Sequence, residues 1–512
     1  MRDTIISTRF LRLAVVSLTL CAFSAEESYA QNLLAKRVKK YELDNGIRLL
    51  VLQRKGSPTF SAYIRFLVGS SDEEIGQTGT AHILEHMLFK GSEKIGTTDF
   101  AKEEKVMLQI EKLGEEFDIE KRKGVKADQK KIKKLKKKIA DKLKAQRKHI
   151  VKDEISSIYQ RNGGSGFNAF TSKDTTTYLI KLPANKLELW AWMESDRLRS
   201  PVLREYYAER DVVMEERRRS VDNSPGGTLY EQFLGAAYYA HPYGIPIIGW
   251  ESDISLLPKR HVRNFLKTYY SPNNMAIVIV GDVEPDKVYK TIKKYFEDIP
   301  RQVIPERVGT KEPKQIGERR IEVLYDASPQ VMIGYHKPAL PHKDDYTFDL
   351  ITAILSEGRT SRLYKSLVDE KGLAVSVSAW TGPGDRFDNL FSLHAVPRAP
   401  HTVAEVEEAI YAEFEKLKTE PVSKKELQKV INNIDADYIR QLRSNSGLAH
   451  YMSSYEILTG DWRYMERYSK EIKKITAKDI METAKKYLTK NNRTVATLVK
   501  DTRQPAAAQV TK

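Results

Sequence analysis

Cysteine is almost missing from this chain: of 512 residues, only Cys21 is one. It falls inside an N-terminal segment patterned as a cleavable leader, so the mature chain is expected to have none. That excludes disulfides, thiolate metal ligands and cysteine nucleophiles in one step. A long apolar run is missing too. The best candidate, Leu13 to Phe23, is too short to span a bilayer as a mature helix. It follows Arg2, Arg9 and Arg12 and precedes the small-residue end Ser28-Tyr29-Ala30, which is the layout of an export signal over residues 1–30. Leu20, just before Cys21, is too large for lipoprotein cleavage. The rival reading is a mitochondrial presequence, but such peptides are amphipathic rather than continuously apolar. The expected location is therefore periplasmic or secreted, with the mitochondrion as the alternative.

What is present points to more than one globular core. Hydrophobic residues make up 41% of a chain too long for a single ordinary domain. The net charge is +16 and unevenly spread. Residues 101–155 hold 19 Lys and Arg against 11 Asp and Glu, a local +8, so half the excess sits in one charged appendage. No nucleic-acid motif accompanies it, and no nucleic-acid partner is expected.

An internal repeat sets the organisation. Lys267-Thr-Tyr-Tyr-Ser-Pro-Asn-Asn, followed by the apolar run Met275 to Val280, matches Lys485-Lys-Tyr-Leu-Thr-Lys-Asn-Asn followed by Thr494 to Val499, at an offset of 218 residues. Ser57-Pro58 leads into the alternating Phe60, Ala62, Ile64, Phe66, and Ser328-Pro329 leads into Val331, Ile333, Tyr335, at an offset of 271. The first half thus holds about 53 extra residues, and the charged stretch is the place for them. Apolar residues at 106, 110, 113 and 117, and again at 132, 135, 139 and 143, recur every three or four positions. With Gly124 as breaker and Asp128 as N-cap, this predicts an antiparallel helical hairpin with arms roughly 30 Å long. Strand-like segments at Ile47 to Gln53, Ser61 to Leu67 and Thr175 to Lys181 alternate with helical ones. The expected architecture is α+β in both halves: domains at 31–300 and 318–501, a Pro- and Lys/Arg-rich linker at 301–317, and a disordered tail at 502–512.

The chemistry centres on Thr80-Ala-His82-Ile-Leu-Glu85-His86. On a helix, residues four apart share a face, so His82 and His86 can reach one metal while Glu85 points at the open coordination position. Zinc suits neutral imidazoles and lowers the pKa of its bound water to about 7, and a nearby carboxylate accepts the proton and passes it to the leaving amine. Chance alone gives such spacing in roughly one or two in a hundred chains of this length.

These residues resemble the signature of the M16 metallopeptidases, the family of insulinase, pitrilysin and the mitochondrial processing peptidases, whose His-x-x-Glu-His order is inverted. The family's distal Glu-Arg-x-x-Val-x-x-Glu pattern is matched by Glu209-Arg210-Asp-Val-Val213-Met-Glu215-Glu216. The resemblance makes Glu216 the third ligand of one Zn²⁺ per chain, Glu85 the catalytic carboxylate and Glu209 a carboxylate behind the ligands. It makes Gly163-Gly164-Ser-Gly-Phe-Asn168-Ala169-Phe170-Thr171 the edge strand that receives an extended peptide, with Asn168, Ala169 and Phe170 in contact with substrate. It implies two homologous domains facing each other as a clamshell. The second half has no histidine at Ile351 to Gly358, so it is expected to be a non-catalytic wall. Where many relatives carry an Arg and a Tyr that grip substrate, this chain has Val368 and Val375. Either a second M16-like subunit supplies them, as a hetero-oligomer or a homodimer, or the enzyme works without them. A structural relative that kept the fold but not the activity is the alternative. The basic hairpin is open to an anionic surface or is a solvated helix pair. His241-Pro242-Tyr243-Gly244, Trp190, Trp192 and Trp250 read as turn and core residues.

Overall fold

The computed structural model describes residues 34–500. The expected leader at 1–30 and tail at 502–512 lie outside them.

Among the described residues, eleven strands form two sheets. The first comprises β1 (Val38–Glu42), β2 (Arg48–Gln53), β3 (Thr59–Phe66), β4 (Ser165–Thr171), β5 (Thr176–Pro183) and β6 (Met275–Gly281), in the order β1-β2-β6-β3-β5-β4. The second comprises β7 (Arg319–Tyr325), β8 (Gln330–Lys337), β9 (Ala374–Gly382), β10 (Asn389–Pro397) and β11 (Arg493–Lys500), in the order β7-β11-β8-β10-β9. Apart from β1, the two orders are the same, and so is the pairing. β2 runs parallel to β6 as β7 does to β11, and the other neighbours are antiparallel. The repeat offsets are the strand offsets: β3 and β8 begin at Thr59 and Gln330, β6 and β11 at Met275 and Arg493.

Because side chains alternate across a strand, each sheet has two apolar faces to cover. One face of the first sheet, with Val51, Ile64 and Ile279, packs on its own domain's helices. The other, with Leu50, Tyr63, Val278 and Val280, is covered by Leu448, Ala449 and Met452 of the helix Asn445–Thr459, which comes from the second half. The exchange is mutual. Leu229, Phe233 and Ala237 of the helix Pro225–Ala237, in the first half, cover Met332, Leu390, Ala496 and Leu498 of the second sheet.

Residues 301–317 form no helix or strand, yet the segment is tied down. Arg307 donates to the Leu67 carbonyl at 2.7 Å, and Glu312 accepts the backbone N–H groups of Tyr239, Ala240 and His241. A second tie joins the halves at Tyr243, which is fully buried. Its hydroxyl donates to Asp174 Oδ2 at 2.7 Å and accepts the N–H groups of Arg386 and Phe387, while Asp174 accepts that of Asp385 at 2.7 Å. A Cβ on Gly384 would lie 2.2 Å from the Tyr243 ring, so this approach requires glycine. The His241–Gly244 segment is therefore a turn that also latches the two halves. Tyr243→Phe strips one donor and one acceptor from this buried set and is expected to lower stability by about 1–3 kcal/mol, read as a fall in thermal midpoint.

The helical hairpin forms over Phe100–Lys121 and Gln129–Gln146, with Asp128 accepting from the Lys130 and Lys131 N–H groups. Its feet are closed by backbone bonds from Thr98 to His149 and from Val151 to Gly96. Reading it as a charged appendage needs correction. The first arm is docked in the domain: Ile110 is core, and Gly114 lies so close to Tyr207 that a Cβ would overlap the ring. Three of the acidic residues in the charge count are buried, namely Glu103, Asp118 and Glu120. Glu103 holds Arg204 at 2.9 Å, and Asp118 holds Arg210 at 3.0 Å. Only the second arm presents a lysine-rich surface to solvent.

Candidate metal centre

The helix Thr80–Met87 is short and firmly placed. Gly79 and Ala81 donate their N–H groups to the two oxygens of buried Glu73, at 2.8 and 2.7 Å. A carboxylate there satisfies orphan amides and suits the positive end of the helix. Ile83, Leu84 and Met87 fix the inner face, each fully buried. The outer face carries His82 and His86, with ring centroids 4.8 Å apart.

Glu216 arrives from the helix Tyr206–Arg217, which packs across this one. Its carboxylate oxygens lie 3.8 Å from His82 Nε2 and 3.5 Å from His86 Nε2. Among the described residues, these three make up the only group of His, Cys, Asp or Glu whose ligand atoms all lie within 4.8 Å of one another. Glu215, next in sequence, is exposed and paired with Arg218.

Glu209, two turns before Glu216, accepts a hydrogen bond from His86 Nδ1 at 3.0 Å. That assigns the proton to Nδ1 and turns the Nε2 lone pair toward Glu216. Lys90 Nζ lies 2.6 Å from the other Glu209 oxygen. Burial works to raise Glu209, but the His86 and Lys90 contacts outweigh it and hold the carboxyl down at about 2. Burial, then the neighbouring His86, pushes His82 down to about 4, so this imidazole is neutral at neutral pH. Burial works to lower His86, but its bond to Glu209 and the surrounding carboxylates outweigh it and raise this imidazole above its ordinary value. Two imidazoles and a carboxylate converging on one point are a donor set that fits zinc. Glu209→Gln keeps the shape but not the charge behind His86 and is expected to weaken zinc binding about 10- to 100-fold, measured by competition with a chelating dye.

Glu85 sits on the same helix beside the three donor residues. Thr171 Oγ1, at the end of β4, donates to Glu85 Oε2 at 2.6 Å. Burial raises the Glu85 carboxyl above its ordinary value, with the Thr171 bond and His86 opposing.

β4 is the outer strand of its sheet, and its far edge has no strand partner among the described residues. Asn168 is exposed there. Ala169 turns its side chain into the core and leaves only backbone at the edge. Phe170 faces the second half, its ring 6.1 Å from that of His450 and 5.5 Å from the Arg65 guanidinium. Val375 is exposed and Val368 half-buried.

Sequence reasoning did not single out Thr171, Lys90 and Glu73 for roles. Lys90 follows His86 by four positions, a signal that was there to read. The contacts of Thr171 and Glu73 emerge only in three dimensions.

Residues 49–119 and 143–250 match the family described as insulinase (peptidase family M16), and residues 257–434 match the one described as peptidase M16 inactive domain. The unmatched stretch 120–142 is the outer part of the hairpin. The zinc protease PqqE of Helicobacter pylori is 29% identical over 485 residues, 93% of this chain and 96% of its own. The uncharacterized zinc protease YmxG of Bacillus subtilis is 21% identical, with 89% and 96% covered. The crystal structure of a protease from Helicobacter pylori superposes with a TM-score of 0.76 at 28% identity, covering 90% of this chain and 99% of that one. Matched across both halves, this chain belongs to the M16 peptidase family.

Proposed function

We propose that this chain is a zinc-dependent endopeptidase that cleaves extended or unfolded peptides. The observation that carries the reading is the Thr171–Glu85 hydrogen bond: it fastens a free strand edge to a buried carboxylate beside a three-donor metal cluster. His82, His86 and Glu216 would hold the metal. Bound there, zinc would supply Lewis acidity toward water and the scissile carbonyl.

The chain's own residues do the rest. The β4 edge binds the peptide by backbone pairing and fixes its register, with Asn168 and Phe170 beside it. Glu209 holds His86 in one tautomer and one orientation. Thr171 occupies Glu85 Oε2, leaving Oε1 to take a proton and return it to the leaving amine. Its raised pKa suits that exchange.

The test is metal content together with cleavage. One zinc per chain and loss of peptide cleavage on chelation, restored by added zinc, are expected. A purified chain that binds no zinc at the cluster points instead to a non-catalytic relative of the fold.

Val368 and Val375 supply no charged or phenolic group to the opposite wall, which supports a second M16-like subunit as the source of the missing grip. The single chain is then expected to cleave poorly, and robust activity from it alone removes the need for a partner. The lysine-rich second arm of the hairpin is suited to an anionic surface. The Arg-flanked apolar run at the N-terminus supports export to the periplasm or beyond.

A further inference from the structure

The second half contains a cavity that the cleavage chemistry does not use. It has a volume of about 300 Å³, and its lining includes Asp345, Asp349, Asp385, Asn389, Tyr451 and Tyr455. Asp345 and Asp349 stand one turn apart on the helix Lys343–Ser356 and so share a face. Asn389 is only 5% exposed; its Nδ2 donates to the Gly384 carbonyl at 2.6 Å, and its Oδ1 has no hydrogen-bond partner among the described residues. The Tyr451 and Tyr455 rings stack 6.2 Å apart at 18°.

The charges do not cancel. Lys337, fully buried, is bonded to Asp345, and Arg440 pairs with Asp437 at the rim. Among the described residues, no cation contacts Asp349. Its Oδ2 accepts from the Tyr468 hydroxyl at 2.7 Å, and burial, then the charge of Asp345, pushes it up to about 7. Asp385 is exposed on one side; burial of the rest, then the charge of Asp174, pushes its carboxyl up to about 6, with Arg65 opposing. Carboxylates and tyrosine faces lining one cavity together select a flat cation with several N–H donors, and guanidinium is that group.

Two contacts link the cavity's lining to the end of β4. The Asp385 N–H donates to Asp174, in the turn that follows β4. Tyr451 adjoins His450, whose ring meets that of Phe170. We propose that this cavity receives the guanidinium of an arginine side chain in the bound peptide. The proposal rests on the peptidase reading for the source of that side chain, not for the binding chemistry.

Calorimetry on the full chain with agmatine, a guanidinium on a short alkyl arm, tests the cavity without any peptide. At about pH 8, where Asp349 is ionised, saturable binding is expected, weakened about tenfold or more in Asp349→Asn through loss of a charge-assisted bond. Asp385→Asn, at a residue exposed on one side, is expected to weaken it as well and guards against misfolding of the buried variant. No agmatine binding by the parent chain, or binding unaltered in both variants, overturns the proposal. Peptides that differ only by arginine or citrulline, titrated into Glu85→Gln protein, identify the source. An arginine preference of about tenfold that Asp349→Asn removes supports a substrate side chain. Agmatine binding with no preference between the peptides means a free cation fills the cavity, and overturns the substrate assignment. Cleavage of the citrulline peptide by the parent chain is scored separately, so failure here and failure of the peptidase reading are told apart.

Discussion

Glu85→Gln is expected to keep its zinc and to cleave peptide about 10³-fold more slowly, within the range of 10²–10⁴ typical of a lost general base. The substitution is nearly isosteric. The glutamine oxygen can still accept from Thr171, so the contact between the metal helix and β4 survives. Its amide cannot take a proton at the remaining position. Zinc content and peptide binding are therefore read alongside the rate: a fall in rate with both unchanged isolates the proton transfer. A variant that retains more than about a tenth of the parent rate would show that another group moves the proton.

The second large effect lies away from the chemistry. Arg204 is 1% exposed and Glu103 0%. Glu103 accepts from Arg204 Nε at 2.9 Å and from Gln146 at 3.0 Å, while the other guanidinium nitrogens reach the carbonyls of Ser92 and Ile95. Glu103→Ala leaves a cation buried without its counter-ion and is expected to cost about 3–5 kcal/mol. The loss should not be confined to the hairpin. Arg204 stands two residues before the helix that carries Glu209 and Glu216, and Asp118 of the same arm holds Arg210 within that helix. Zinc affinity should therefore drop together with the denaturant midpoint. A normal midpoint would mean that the arm is dispensable for the fold.

How far these features could be read from the chain depends on their range. His82, Glu85 and His86 lie within one helical turn and announce themselves. Glu216 is distant and was placed only through the Glu-Arg-x-x-Val-x-x-Glu pattern. The sheets were legible through the offsets of Met275 against Arg493 and of Thr59 against Gln330, since strands of equal role begin alike. The hairpin was legible as two helices but misread as an appendage. A count of charges cannot tell a solvated glutamate from one such as Glu103, whose partner lies 101 residues away. The latch at Tyr243 and the cavity around Asn389 were invisible for the same reason: each is assembled from segments that only the folded chain brings together.

The mutual exchange of helices has a consequence for how the two halves can be handled. Neither is a free-standing module, because each wears as its lining a piece that grows from the other. Severing the strap at 301–317 should yield two fragments that elute as one particle, whereas either fragment made on its own should present a bare greasy sheet and precipitate.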